Sequence, residues 1–264
     1  MIRSMSSALS GLRNHQVMLD VVGNDIANVS TVGFKSSSTV FSDVLTQTLT
    51  GAGAPGATTG GTNPAQIGLG SRLVGTVQSF TQGAIQRTGR ATDLAIEGDA
   101  FFVVNSGNRR FYTRAGNFSL NANGDIVVGS SQTGRLLEPG ISIPPDATAI
   151  TVSPEGIVSV KQPASPTLAQ VGQIELAYFI NPEGLLRLGE NLLAETDASG
   201  PPTTASPGQD SVGVVRQGAL EASNVQPIEE LIDLITTQRA YEMNSQVVKA
   251  GDQMLEIVAN LRRY

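Results

Sequence analysis

The residues able to do chemistry are few and poorly arranged for it. His15 is the only histidine, so neither a multi-histidine metal site nor a conventional triad with a second histidine is available. It falls on a helical apolar seam, where a polar residue fixes register. Asp93, Glu97 and Asp99 in "ATDLAIEGDAFF" are near one another in sequence and suggest a glycosidase-like carboxylate pair, but they flank strand ends beside glycines, where acidic residues cap turns. "GAGAPG" at residues 51–56 has GxGxxG spacing. A phosphate cradle of that kind needs a strand before it and a helix after it, and this one sits in low-complexity sequence with Pro55 inside. The chain holds no cysteine, so thiol nucleophiles, zinc–thiolate sites and disulfides are excluded. "NVS" and "NFS" fit a glycosylation acceptor pattern, but no secretory segment accompanies them. The expectation is a protein without catalytic residues, cofactor or metal.

Composition narrows the class further. The 264 residues carry a net charge of −6, and only 15 % are charged. That is below the usual quarter, and with no basic clusters it argues against nucleic acid and anionic membrane surfaces as partners. No apolar run approaches the ~18 residues of a membrane span. "MIRSMSSALSGL" lacks a continuous apolar core, so a cleaved signal peptide is not expected.

What remains are the elements at the two ends. Met5, Ala8, Leu12, His15, Leu19, Val22, Ile26 and Val29 recur at steps of three and four, predicting a helix from Ser4 to about Asn28. Ala240, Met243, Val247, Ala250, Met254, Ile257, Leu261 and Tyr264 keep the same steps, preceded by Leu231, Leu234 and Ile235. Ser223 and Asn224 as caps, Pro227 in the first turn, and Glu229 and Glu230 at the positive end predict where that second helix starts. Arg262 and Arg263 suit its negative end. Between Ser71 and Arg216, short apolar runs such as "DLAIEG", "AFFVVN" and "AITVSPEGIVSV" alternate with turns at Asn121–Gly124, Pro154–Gly156 and Pro182–Gly184. Residues 50–65, nearly all Gly, Ala, Thr or Pro, read as a linker or insert, and the Pro/Ser/Thr-rich stretch at 197–211 reads as the way back from the β region.

The expected fold class is α+β: N- and C-terminal helices pairing as a coiled-coil-like discontinuous domain (1–35 and 222–264), an extended linker or insert (36–70), and an all-β middle domain (71–216). Two helices alone bury little, so their seams call either for neighbouring copies of the chain or for folding back on the sheet. "NDIANVSTVGFK" ends the first helix: Asn24 and Asn28 can bond backbone groups, Gly33 can take positive φ, and Phe34 follows as an exposed-looking aromatic. Packing of Phe34 on a helix or a neighbouring subunit is expected, so that Phe34→Ala weakens assembly and leaves the β domain's melting unchanged.

Three separated stretches resemble the flagellar rod and hook protein family. They are "LDVVGNDIANVSTVGFKSSSTVFSDVL" (19–45), "GTVQSFTQGAIQRTGRATDLAIEGDAFFVV" with "YTRAGNFSLNANGDIV", and "GALEASNVQPIEELIDLITTQRAYEMNSQVVKAGDQML" (218–255). Length, the "MIRSM" opening, "QRAYEMNS" and the insert at 46–65 are similar to the distal-rod branch, while "AQIGLGSRLVGTVQSF" reads closer to hook proteins; hook and proximal-rod membership stay open. The resemblance implies export through the flagellar type III apparatus and polymerisation into a hollow helical tube that carries torque in the basal body. It implies as partners copies of the chain itself, other rod and hook proteins and surrounding ring proteins. The assembly interface it implies comprises Met5, Leu12, Leu19, Val22, Asn24, Ile26, Asn28, Phe34, Leu231, Ile235, Gln238, Arg239, Tyr241, Val247, Met254 and Leu261. A cell-wall enzyme and an exported coiled-coil adhesin are the competing classes.

Overall fold

A computed structural model describes residues 2–50, 65–107, 109–129, 134–163, 167–209 and 212–261. "GAGAPG", most of the glycine-rich insert and residues 262–264 lie outside them. The chain divides into two compact units, one of residues 1–26, 37–77 and 227–264 and the other of residues 27–36 and 78–226.

The first unit contains helix α1 (Ile2–Ala27), strands β1 (Ser37–Asp43), β2 (Thr46–Thr50), β3 (Ala65–Gly68) and β4 (Ser71–Gln78), and helix α2 (Pro227–Leu261). Both helices were expected from their apolar spacing. Pro227 opens α2 with Glu229 and Glu230 in its first turn, where a missing N–H costs nothing and acidic side chains meet the positive helix end. β1 pairs with β4, and β2 pairs with β3 in an antiparallel ladder. Strand therefore reaches into the stretch read as linker. β1 alternates half-buried and exposed residues along "SSTVFSD", a β-branched and aromatic pattern suited to a half-covered ladder. Among the described residues, no helix is long and apolar enough to cross a membrane.

The second unit is built of β-strands, apart from a short 3-10 turn at Pro182–Gly184, one of the turns expected from sequence. Its strands are β5 (Ile85–Arg87), β6 (Leu94–Glu97), β7 (Phe101–Ser106), β8 (Arg109–Thr113), β9 (Phe118–Leu120), β10 (Ile126–Val128), β11 (Arg135–Leu137), β12 (Ala149–Val152), β13 (Ile157–Lys161) and β14 (Ala169–Gln173). They continue as β15 (Leu176–Tyr178), β16 (Leu186–Gly189), β17 (Leu192–Ala194), β18 (Thr203–Ala205), β19 (Val214–Gln217) and β20 (Ala219–Glu221). A nine-stranded sheet runs β16-β17-β8-β7-β11-β10-β9, with β15 joining β7 to β18. β18 lies inside the Pro/Ser/Thr-rich stretch read as a return path, so that stretch contributes a strand.

β7 shows why this sheet is central. Phe101, Phe102, Val103 and Val104 are all buried, so the strand is covered on both faces, and its sequence is a continuous apolar run instead of an alternation. Phe102 and Val104 face a core with Phe118, Ile126, Leu137, Val158 and Val160. Phe101 and Val103 face a second cluster with Tyr112, Phe179, Leu185 and Leu193. Edge-to-face ring pairs set the packing: Phe102–Phe118 at 5.0 Å, Tyr112–Phe179 at 4.8 Å and Phe101–Phe179 at 5.9 Å. Each such side chain contributes about 1.5–3 kcal/mol by leaving water.

Candidate assembly interface

α1 is anchored within the first unit by polar bonds on one face. Asn14 donates through Nδ2 to Ser71 Oγ at 2.8 Å, and Ser10 Oγ accepts the Ser71 N–H at 3.3 Å. Asp25, fully buried, accepts the Ser37 N–H at 2.7 Å. Ala8, Asn14, Val22 and Asp25 form the buried face of the helix. The predicted seam residues Met5, Leu12, Leu19 and Ile26 are half-buried and Val22 is buried, whereas Asn24 is exposed.

The two helices touch where glycines allow close approach. A Cβ at Gly11 would lie 3.0 Å from Asn244 Nδ2, and one at Gly251 would lie 2.8 Å from Met5 Cγ. The beginning of α1 thus meets the later part of α2, and the helices run antiparallel. The covered face of α2 is Glu230, Leu234, Thr237, Asn244, Val248 and Gly251, largely polar or small. Burial, and next the charges of Asp25, Asp233 and Glu229, raise the Glu230 pKa above its ordinary value.

The apolar stripe of α2 lies elsewhere. Ile228, Ile232, Ile235, Met243, Val247, Met254, Ile257 and Val258 are 46–75 % exposed. At 100° per residue they share an arc of about 140°, centred far from the covered face. Of the residues expected at an interface, Leu231, Ile235, Tyr241, Val247 and Met254 are exposed, as are Gln238 and Arg239. The Leu261 side chain lies outside the described residues.

The second unit contains a node that sequence reading missed. Glu221, 1 % exposed, accepts from Lys35 Nζ at 2.7 Å, from the Gly83 N–H at 2.9 Å and from an Arg114 guanidinium nitrogen at 3.4 Å. Lys35 also donates to the Thr81 carbonyl at 2.7 Å, and the Arg114 guanidinium stacks 4.9 Å over Phe101. Burial depresses the pKa of both Lys35 and Arg114, and the Glu221 carboxylate partly offsets the effect. Three residues on, Asn224 accepts the Ser36 N–H at 2.7 Å and donates to the Ser79 carbonyl at 2.8 Å. Segments 33–36, 79–83 and 221–224, which continue along the chain into α1, β4 and α2, are therefore tied to one another. "GFK" and "ALEASN" stood in the motifs quoted above, yet nothing in their local spacing marks an ion pair across 186 positions.

Gly33 does take positive φ (68°), and its N–H donates to the Glu221 carbonyl at 2.9 Å. Asn28 closes the turn: its carbonyl accepts the Thr31 N–H at 3.0 Å, and its side-chain oxygen accepts from Thr31 Oγ1. Phe34 corrects the expectation of an exposed aromatic. It is 2 % exposed inside the second unit, with the Arg187 guanidinium 4.6 Å over its ring, because the Gly33 turn directs the chain back onto the β structure.

Of the three carboxylates weighed for catalysis, two have structural partners and Asp99 is exposed. Asp93 is buried and accepts from Thr88 Oγ1 at 2.6 Å, and Glu97 pairs with Arg216. His15 is half-buried on α1. Among the described residues, no group of three or more His, Asp or Glu is placed to hold a metal ion.

Comparison with known proteins gives this arrangement its context. Residues 5–35 match the family model "Flagella basal body rod protein", residues 95–160 match "Flagellar hook protein FlgE/F/G D1 domain", and residues 216–261 match "Flagellar basal body rod FlgEFG protein C-terminal". The chain is 42 % identical over 266 residues to the flagellar basal-body rod protein FlgG of Bacillus subtilis (strain 168), with 100 % of both chains covered. It is 42 % identical over 264 residues to the protein of that name from Caulobacter vibrioides, covering 99 % of this chain and 100 % of the other. The flagellar hook protein FlgE of Borreliella burgdorferi shares 46 % identity over 127 residues, 48 % of this chain and 29 % of that protein. The chain belongs to the flagellar basal-body rod protein family, and is a structural component of the flagellum.

Proposed function

We propose that the chain is the self-assembling subunit of the distal rod, the hollow helical tube that carries torque from the basal-body motor to the hook. One observation carries the reading: α2 leaves a long apolar stripe, interrupted by Arg239 and Gln246, uncovered by its own chain, with Met243 61 % and Ile257 59 % exposed. A stripe of that length needs a partner to bury it. In a chain whose relatives are rod proteins over their whole length, that partner is another copy. Each apolar side chain that leaves water contributes about 1.5–3 kcal/mol, so several per subunit offset the cost of ordering two long helices.

In this reading residues 1–35 and 222–264 form the inner tube, their helices pairing as a coiled coil with neighbouring copies. Residues 71–216 form the outer layer, and residues 36–70 join the two. The insert at 46–65 wedges between subunits and keeps the tube straight. Other rod and hook proteins cap the ends, ring proteins surround the outside, and the flagellar export apparatus delivers the chain. Hook identity is less well supported, because likeness to the hook relative stops at 29 % of that protein. The cell-wall enzyme has the least support, since Asp93 and Glu97 are held in structural pairs.

Ile235→Asp and Val247→Asp each place a charge on the stripe without touching a buried residue. Sedimentation of the concentrated protein should lose its polymer fraction in both variants, while the β unit melts as in the parent. Undiminished polymer in both would remove the stripe from the interface.

A further inference from the structure

The stripe carries two sulfurs that an assembly surface does not require. Met243 and Met254 are 61 % and 46 % exposed and lie eleven positions apart, three turns of helix and nearly the same azimuth. The methionines of α1 are placed otherwise. Met5 and Met18 are half-buried, and Met5 Sδ lies 3.2 Å from where a Cβ on Gly251 would sit. Thioether oxidation follows exposure. In the unassembled chain a small peroxide therefore reaches the α2 sulfurs most readily.

We infer that Met243 and Met254 form an oxidation site whose conversion to sulfoxide blocks addition of the chain to the polymer. The inference rests on the assembly reading given above. The co-reactant is a two-electron oxidant of the hydroperoxide class. The sulfur lone pair attacks the distal peroxide oxygen, the O–O bond breaks as the S–O bond forms, and the proton on the transferred oxygen passes to the departing one, which leaves as water from hydrogen peroxide or as an alcohol from an organic hydroperoxide. Sulfur loses two electrons and the peroxide gains them. The product exchanges a flexible apolar side chain for a strongly polar, chiral one. On the free helix that group stays hydrated and harmless. At a buried helix seam it needs a hydrogen-bond donor: the neighbours of Met254, Ala250, Ile257 and Val258, offer none from their side chains, and beside Met243 the donors are the long polar side chains of Arg239 and Gln246, which the same seam would have to order. Oxidation thus spares the folded β unit and stops growth. Subunits already in the tube have these sulfurs covered and resist it.

The test treats the purified full-length chain with hydrogen peroxide, quenches it and locates added oxygen by peptide mass spectrometry. Polymer yield is then read by sedimentation. The expected result is oxygen on Met243 and Met254 before Met5 and Met18, with loss of polymer in proportion and no change in the melting of the β unit. Met243→Leu/Met254→Leu should polymerise equally well with and without peroxide, and peroxide applied to preformed polymer should leave both sulfurs reduced. Full polymer yield after both sulfurs are oxidised overturns the inference, as does a double variant that loses polymer like the parent. An untreated chain that stays monomeric would instead overturn the assembly reading and the inference with it.

Discussion

At the scale of single residues, Glu221 is the most demanding position in the molecule. Two cations and a backbone N–H surround its carboxylate, so its charge is compensated only while all of them stay in place. Glu221→Gln keeps the shape and removes the charge, leaving Lys35 and Arg114 buried without an anion. Breaking a buried pair in this way costs about 3–5 kcal/mol. Denaturant unfolding of the β unit should show a loss of that order, partly recovered in Glu221→Gln/Lys35→Met; full stability of the single variant would show that the node is not the tie described. Phe34→Ala should lower the stability of the same unit by about 3–5 kcal/mol, the usual range for emptying a buried aromatic site. Unchanged melting would contradict the buried position of the ring. The node was hard to read from sequence because Lys35, Arg114 and Glu221 are ordinary residues at separations that only the fold explains. Gly33 was readable because a helix stop followed by glycine has a local backbone meaning.

At the scale of elements, the helices were legible in outline, but not which face of each the chain covers for itself. Steps of three and four located both, and Pro227 with its acidic neighbours marked where α2 begins. The periodicity could not say which face the chain would cover for itself. On α2 that face is polar or small, built around Asn244 and Gly251, because glycine at the crossing lets α1 come close. Most strands of the middle region were visible as apolar runs between turns, β7 among them as "AFFVVN". β18 was hidden, since "TTA" flanked by prolines has the composition of a linker. The covered face also predicts a pH response. Glu230 has a folded-state pKa above its ordinary value, so the stability it contributes is complete below the unfolded value of 4.5 and is lost as pH rises through the folded one. Helical content followed by circular dichroism on heating should therefore be more resistant near pH 4.5 than at neutrality for unit 1. Glu230→Gln should remove most of that difference; an equal pH response in the variant would assign it to other groups.

At the scale of the whole molecule, the sequence already carried the assembly logic: no chemistry-bearing constellation, two terminal seams, and β structure between them. The missing part was where the second seam's partner comes from, because a lone chain covers one face of α2 and leaves the apolar stripe exposed. The segments that lead towards both helices, 33–36 and 221–224, are fastened together within the β unit by Glu221 and Asn224. The most direct test of self-assembly is electron microscopy of the full-length protein, concentrated until it polymerises. Straight hollow tubes are the predicted outcome. Monomers that persist even when seeded with hook–basal-body fragments would contradict it.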